Sequence, residues 1–283
     1  MKLYEGEWPK LPTQGFVLLE PSNRPHFIDD GCLIGKPCVP FGMEKIEHLM
    51  PRLIDLQTIS EADGELLLDL CATELAQTRP PYVNAWISSE RSGEDLAALV
   101  AAPLVGSSGG LRMIWRYYDP RVLSLAFNVL ASTQYEALFH GIQRWVMPWS
   151  GHWWKTDGTQ DRSRSFDRAD QAWPTPDQWA TFSSSELIRR VHREICARRV
   201  LEPKDLPAMQ QAIVIGMREA ATRFRLGEPV QQAEYARLLV LFGEAFKHHR
   251  LLDGPREKLA NGQMNWPEFR ALVDEDELKR LTH

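Results

Sequence analysis

Cysteine is scarce in this sequence: Cys32, Cys38, Cys71 and Cys196 are four among 283 residues, and no two of them form a CxxC. A disulfide framework or a cysteine-based zinc site is therefore not expected. The four read as free thiols, with a Cys32 to Cys38 bond as the alternative, since only these two lie near each other in the chain. Long apolar runs are also missing, and nothing approaches the roughly 18 residues of a membrane span. The opening, MKLYEGEWPKLPTQG, is charged and polar where a secretory signal needs an apolar centre. We expect a chain that stays in the cytoplasm and off the membrane. Basic runs are lacking too: 33 Lys and Arg against 38 Asp and Glu leave a net charge of −5. Phosphate binding leans on clustered cations, so nucleic acid is not an expected partner.

Catalytic signatures are equally thin. The glycine-rich GSSGG (106–110) has neither the Lys nor the following Ser or Thr of a phosphate-binding loop, and it precedes a strand-like run where that loop precedes a helix. The histidines, among them His140, His152, His192 and the pair His248–His249, show no HExxH and no paired ligand spacing. No GxSxG occurs, and Ser183–Ser185 stands where a helix cap is expected. The acidic run Asp274–Glu277 lacks the alternating ligands and central glycine of a calcium loop and reads as a solvated helix face. We expect no catalytic residue, metal or cofactor from these patterns.

What is present is a foldable soluble chain, 43% hydrophobic and 25% charged. Prolines at 21, 25, 37 and 40 exclude a long helix before residue 50, where GFVLLE (15–20) reads as a strand. RLIDL (52–56) and YVNAWISS (82–89) read as buried strands on either side of a helix over 64–77. A second helix follows Ser92 as its N-cap, and LRMIWRYYD (111–119) reads as a central strand. Helical spacing returns after Pro120, with 135–145 a short helix or turn. Residues 149–178 carry few aliphatics and read as a loop with one strand near the Trp pair. From residue 183 the pattern is helical: Leu187, Val191 and Ile195 form one stripe, Leu206, Ile213, Met217, Ala220 and Phe224 the next, and Ala233, Tyr235, Leu238, Leu239, Phe242 and Phe246 a third. The expected architecture is an α/β (α+β) lobe over 1–148, a Trp-rich connecting segment over 149–182 and a helical lobe over 183–283.

Two features stand out for function. In WRYYDPRVL (115–123), alternation sends Trp115 and Tyr117 one way and Arg116 and Tyr118 the other, while Asp119 and Pro120 start a helix. Arg116, Asp119 and Arg121 are close enough in sequence for a charge-assisted network at that corner. Trp149, Trp153 and Trp154 fall where few aliphatics exist to bury them, so they are candidates either for a protein contact or for a seam between lobes.

The run from Leu111 to Pro148 resembles the signature of a family of bacterial type VI secretion effector chaperones, or adaptors, in which Arg-aromatic-aromatic-Asp-Pro-Arg-Val-Leu precedes a helix. The matching residues are Arg116, Tyr117, Tyr118, Asp119, Pro120, Arg121, Val122 and Leu123. GFVLLE resembles the family's opening strand, with Glu20 where that strand has Asp, and the likeness covers roughly residues 14–148. Phe139-His140-Gly141-Ile142 replaces the family's Phe-Gly-Pro turn, and Ser107–Gly110 shortens the segment before the signature. The helical tail around 212–259 is similar to that of many members, on less specific motifs. The resemblance implies a protein without catalysis that binds a toxic effector in the cytoplasm and helps load it on the VgrG spike protein. Arg116, Tyr118, Asp119, Pro120 and Arg121 would be its binding or structural signature, and Trp149, Trp153 and Trp154 its effector contact. The other function classes left open are a hydrolase whose site assembles only in three dimensions and a structural component of the secretion machine.

Overall fold

The computed structural model describes residues 3–6, 14–29, 31–75, 79–158 and 171–282. It divides into two units, Met1–Trp179 and Ala180–His283.

The first unit is built on a seven-stranded antiparallel sheet in the order β1-β9-β8-β5-β2-β4-β3. The strands are β1 (Tyr4–Gly6), β2 (Phe16–Leu19), β3 (Lys36–Pro37), β4 (Arg52–Asp55), β5 (Val83–Ser88), β8 (Arg144–Trp149) and β9 (His152–Asp157). Every residue of β2 is buried, which suits its place between β4 and β5. Side chains alternate across a strand. Val17 and Ile54 therefore face one way, onto Leu67, Leu70 and Cys71 of α1 (Glu61–Leu75). Ile87 and Trp145 pair across β5 and β8 on the opposite face, where Trp145 meets the rings of Tyr117 and Phe139. Tyr117 in turn donates to the Val100 carbonyl of α2 (Gly93–Ala101), the helix that Ser92 caps as expected.

Two readings of this region are corrected. Residues 111–119 are not a central strand. Only Leu111–Ile114 is extended, as β7, and it pairs with β6 (Val105–Ser108) in a separate two-stranded sheet. Gly109 and Gly110, both at positive φ (59° and 79°), form the two-residue turn that folds the strand back on its predecessor before it can join the main sheet. The connecting segment is also not a connector throughout. Its first part, with the preceding Arg144–Pro148, forms the β8–β9 hairpin, so the sheet continues to Asp157. Trp154 is 1% exposed, and its indole donates to the Trp149 carbonyl. Trp149 and Trp153 are half-buried, and Trp153 packs against the core on the α1 side. Aromatic rings fill the sheet where aliphatics are few. Further on, Trp173 and Trp179 cluster with Trp115, their ring centroids 5.9 and 6.4 Å from it. The loop reading of 159–170 lies outside the described residues.

After α3 (Pro120–Val129), α4 (Ser132–Leu138) and α5 (Pro176–Ser183), the second unit contains α6 (Ser185–Arg198), α7 (Leu206–Arg223), α8 (Pro229–Lys247), α9 (Arg250–Ala260), α10 (Trp266–Ala271) and α11 (Glu275–Leu281). The stripes expected on α7 and α8 are buried apart from half-buried Leu239, and in α6 Ile188 is buried where Leu187 is only half-buried. The run Asp274–Glu277 is not simply a solvated face. Asp274 caps α11, and Glu275 accepts from Arg237 and Arg270 and pairs with Arg198 at 3.5 Å. Glu194 takes Arg198 and Arg237, while Glu234 takes Arg270 and the Trp266 indole. This cluster joins α6, α8, α10 and α11. The Arg237 hydrogen bond holds the Glu275 carboxyl below its ordinary value against the opposing pull of burial.

Two outcomes are expected. Trp154→Ala opens a cavity in the sheet and should cost about 3–5 kcal/mol, whereas Phe41→Ala, on a side chain 96% exposed, should leave chemical denaturation unchanged; equal midpoints for the two variants would contradict the packing described. For Glu275, a folded value below the ordinary 4.5 means that its contribution is present above that pH and is lost as pH falls through the folded value. Glu275→Gln should therefore melt below the wild type at pH 7, and the two melting curves should converge in acid.

Candidate functional site

The signature corner is assembled around a carboxylate that the sequence reading did not select. Glu20 follows β2 and is 0% exposed. One of its oxygens accepts from the Ser22 amide (3.0 Å) and hydroxyl (2.6 Å). The other accepts from Arg116 Nη2 (2.6 Å) and the Tyr118 hydroxyl (2.7 Å). A buried charge is tolerated only when it is paired and hydrogen-bonded, and four donors meet that condition. Burial and the Glu20 charge push the Tyr118 phenol well above its usual range, so it remains a donor.

Arg116 and Tyr118 reach the same acceptor as expected, but from a turn beyond β7 and not from a strand, since the Asp119 amide donates to the Arg116 carbonyl at 3.0 Å. The expected network does not form: Arg116 bonds Glu20, not Asp119. Asp119, 3% exposed, accepts from the Arg121 backbone and guanidinium and caps α3, with Pro120 at its first position. The corner thus uses two separate ion pairs: Tyr118, Asp119 and Pro120 are buried, while Arg116 and Arg121 reach the carboxylates with side chains 41% and 32% exposed. A signal for Glu20 was present in the sequence, an acidic residue ending an otherwise apolar strand.

Trp149, Trp153 and Trp154 do not form an exposed contact face. Trp154 belongs to the core, and the other two are half-buried on the same hairpin. Exposed apolar side chains lie elsewhere. Ile34 (74%) and Phe41 (96%) flank β3, the terminal strand of the sheet, and Leu111 (71%) starts β7. Arg112 of β7 donates to the Phe41 carbonyl at 3.2 Å, which brings the small hairpin beside the Phe41 loop. The outer edge of β3 pairs with no strand among the described residues.

Cys196 Sγ lies 3.7 Å from His192 Nδ1, one turn apart on α6. Burial raises this thiol's pKa and lowers that of His192 to about 4, so both stay neutral and the pair lacks the thiolate of a nucleophile. Cys38 is pushed up to about 12 by burial. Among the described residues no group of three or more His, Cys, Asp or Glu is placed to hold a metal ion, and no helix is long and apolar enough to cross a membrane. Compared with models of protein families, with curated proteins and with solved structures, the chain matches none.

Removing Glu20 tests the corner. Glu20→Ala leaves Arg116 and a buried phenol without their acceptor, and should cost about 3 kcal/mol, the lower end for one-sided loss of a buried pair, because the Arg116 side chain is 41% exposed. Tyr118→Phe should cost about 1–2 kcal/mol, since Glu20 keeps its other donors. Equal stability of both variants and wild type in urea unfolding would show that the cluster contributes nothing.

Proposed function

We propose that this chain is a chaperone or adaptor without catalytic activity that binds a type VI secretion effector in the cytoplasm and helps load it on the VgrG spike. The reading rests on the likeness of Arg116–Leu123 to the signature of that family. The observation that supports it is how the protein distributes its apolar and polar groups. The signature residues are engaged internally around Glu20 and Asp119, while Ile34, Phe41 and Leu111 are exposed beside an open sheet edge. Exposed large apolar groups beside this edge suit the capture of another polypeptide by side-chain anchoring, whereas Lys36–Pro37 is too short, and lacks the proline N–H, for strand addition. The candidate contact moves accordingly from the tryptophan hairpin to this edge.

Co-expression with the product of the adjacent gene, which the proposal takes to be the toxin, tests it. The toxin should be poorly soluble alone and should co-purify with the wild-type chain. Phe41→Asp with Leu111→Asp should weaken capture about thirtyfold, the effect of losing a central anchor worth about 2 kcal/mol, with circular dichroism unchanged. A toxin that folds and is secreted normally without this protein would overturn the chaperone reading. Full capture by the double variant would remove the β3 edge from the interface.

A further inference from the structure

The helical unit contains a cavity of about 540 Å³ bounded by the end of α6, the middle of α8 and one face of α11, within the range of ligand-binding clefts. Its floor is apolar, formed by Leu241 and Phe242. Immediately after them α8 breaks at Gly243 (φ 50°, ψ −123°), a conformation that residues with a Cβ rarely adopt. Arg199 donates to the Leu241 carbonyl beside the break, which fixes its guanidinium at the wall.

Three cations, Arg198, Arg199 and Lys279, line the same space. Of the two lining carboxylates, Glu275 is already shared among Arg198, Arg237 and Arg270, which leaves Asp276 as the acidic group outside that cluster. Lys279 forms no ion pair among the described residues. Three cations against two carboxylates leave the lining with one net positive charge beside its apolar residues, although the chain as a whole carries −5. Apolar residues continue along the chain from it: fully exposed Val200 follows Arg199, and Leu281, 59% exposed, precedes Thr282 at the lip.

We propose that this groove binds a peptide segment that places an apolar side chain on Leu241 and Phe242 and an adjacent carboxylate against Arg199 and Lys279. Charge complementarity selects an acidic segment over a basic one, and the exposed apolar residues next to the lip favour an extended peptide over a compact small molecule. The inference goes beyond the chaperone reading and does not depend on it, because it concerns the chemistry of the segment and not the protein that carries it.

The test is fluorescence anisotropy of the full chain with a labelled dodecapeptide of Leu, Glu and Asp, against the same peptide with Lys at every acidic position. Saturable binding of the acidic peptide is expected, about tenfold weaker for Lys279→Glu and similarly weakened by Thr282→Trp, which fills the mouth. Both positions are exposed, so circular dichroism should not change. No saturable binding, equal binding of the lysine peptide, or variants that bind as the wild type does would overturn the proposal. So would a concentration-dependent dimer abolished by the same variants, since it would give the groove to a second copy of the chain.

Discussion

The first unit depends on one fully enclosed negative charge. Glu20 stands at the end of the central strand β2, and its partners Arg116 and Tyr118 lie 96 and 98 residues further along the chain. A carboxylate so placed is destabilising until those residues arrive, because an ion taken out of water without its donors costs several kcal/mol. Once they arrive it links three pieces of backbone: the end of β2, the turn at Ser22 and the stretch between β7 and α3. Apolar burial does not discriminate between neighbouring registers as sharply as four directed hydrogen bonds do. The carboxylate therefore contributes specificity of arrangement more than net stability.

The same reasoning bears on the proposed contact surface. Side chains that satisfy a buried charge are less free to recognise a partner, so the most distinctive run of the sequence builds the frame, and under the proposed function its exposed neighbours would make the contacts. The hairpin that precedes the signature is short, glycine-turned and tied to the Phe41 loop by Arg112. Two apolar residues of its second strand, Leu111 and Ile114, are exposed. A fixed display of exposed apolar groups loses less ordering entropy on binding than a mobile one.

How far the sequence could be read follows from the range of the interactions. The stripes on α7 and α8, the Ser92 cap and the helix started by Asp119 and Pro120 are local, and each was legible from spacing alone. The strand expected over 111–119 failed because periodicity reports amphipathic fit and not which partner a strand takes; the Gly109–Gly110 turn decided that. Trp154 is buried although aliphatics are scarce in its segment, because scarcity of aliphatics does not exclude a core that indole rings fill. Glu20 and Glu275 were missed for a different reason. Their roles are set by arginines in distant elements: an acidic residue ending an apolar strand marks Glu20 as unusual without showing what encloses it, and Glu275 stands in an acidic run that reads as solvated.

The two units solve the burial of charge differently. Glu20 is sealed by four donors and leaves no room for exchange. The second unit shares Glu194, Glu234 and Glu275 among Arg198, Arg237 and Arg270, with side-chain exposures from 10% for Arg237 to 49% for Arg198. A shared cluster tolerates the shift of one member, since each guanidinium keeps a second acceptor when one contact lengthens. Arg198 belongs both to this cluster and to the groove lip. An incoming carboxylate can therefore draw on it while Arg237 and Arg270 continue to hold Glu275, and the helices remain joined as the groove is occupied.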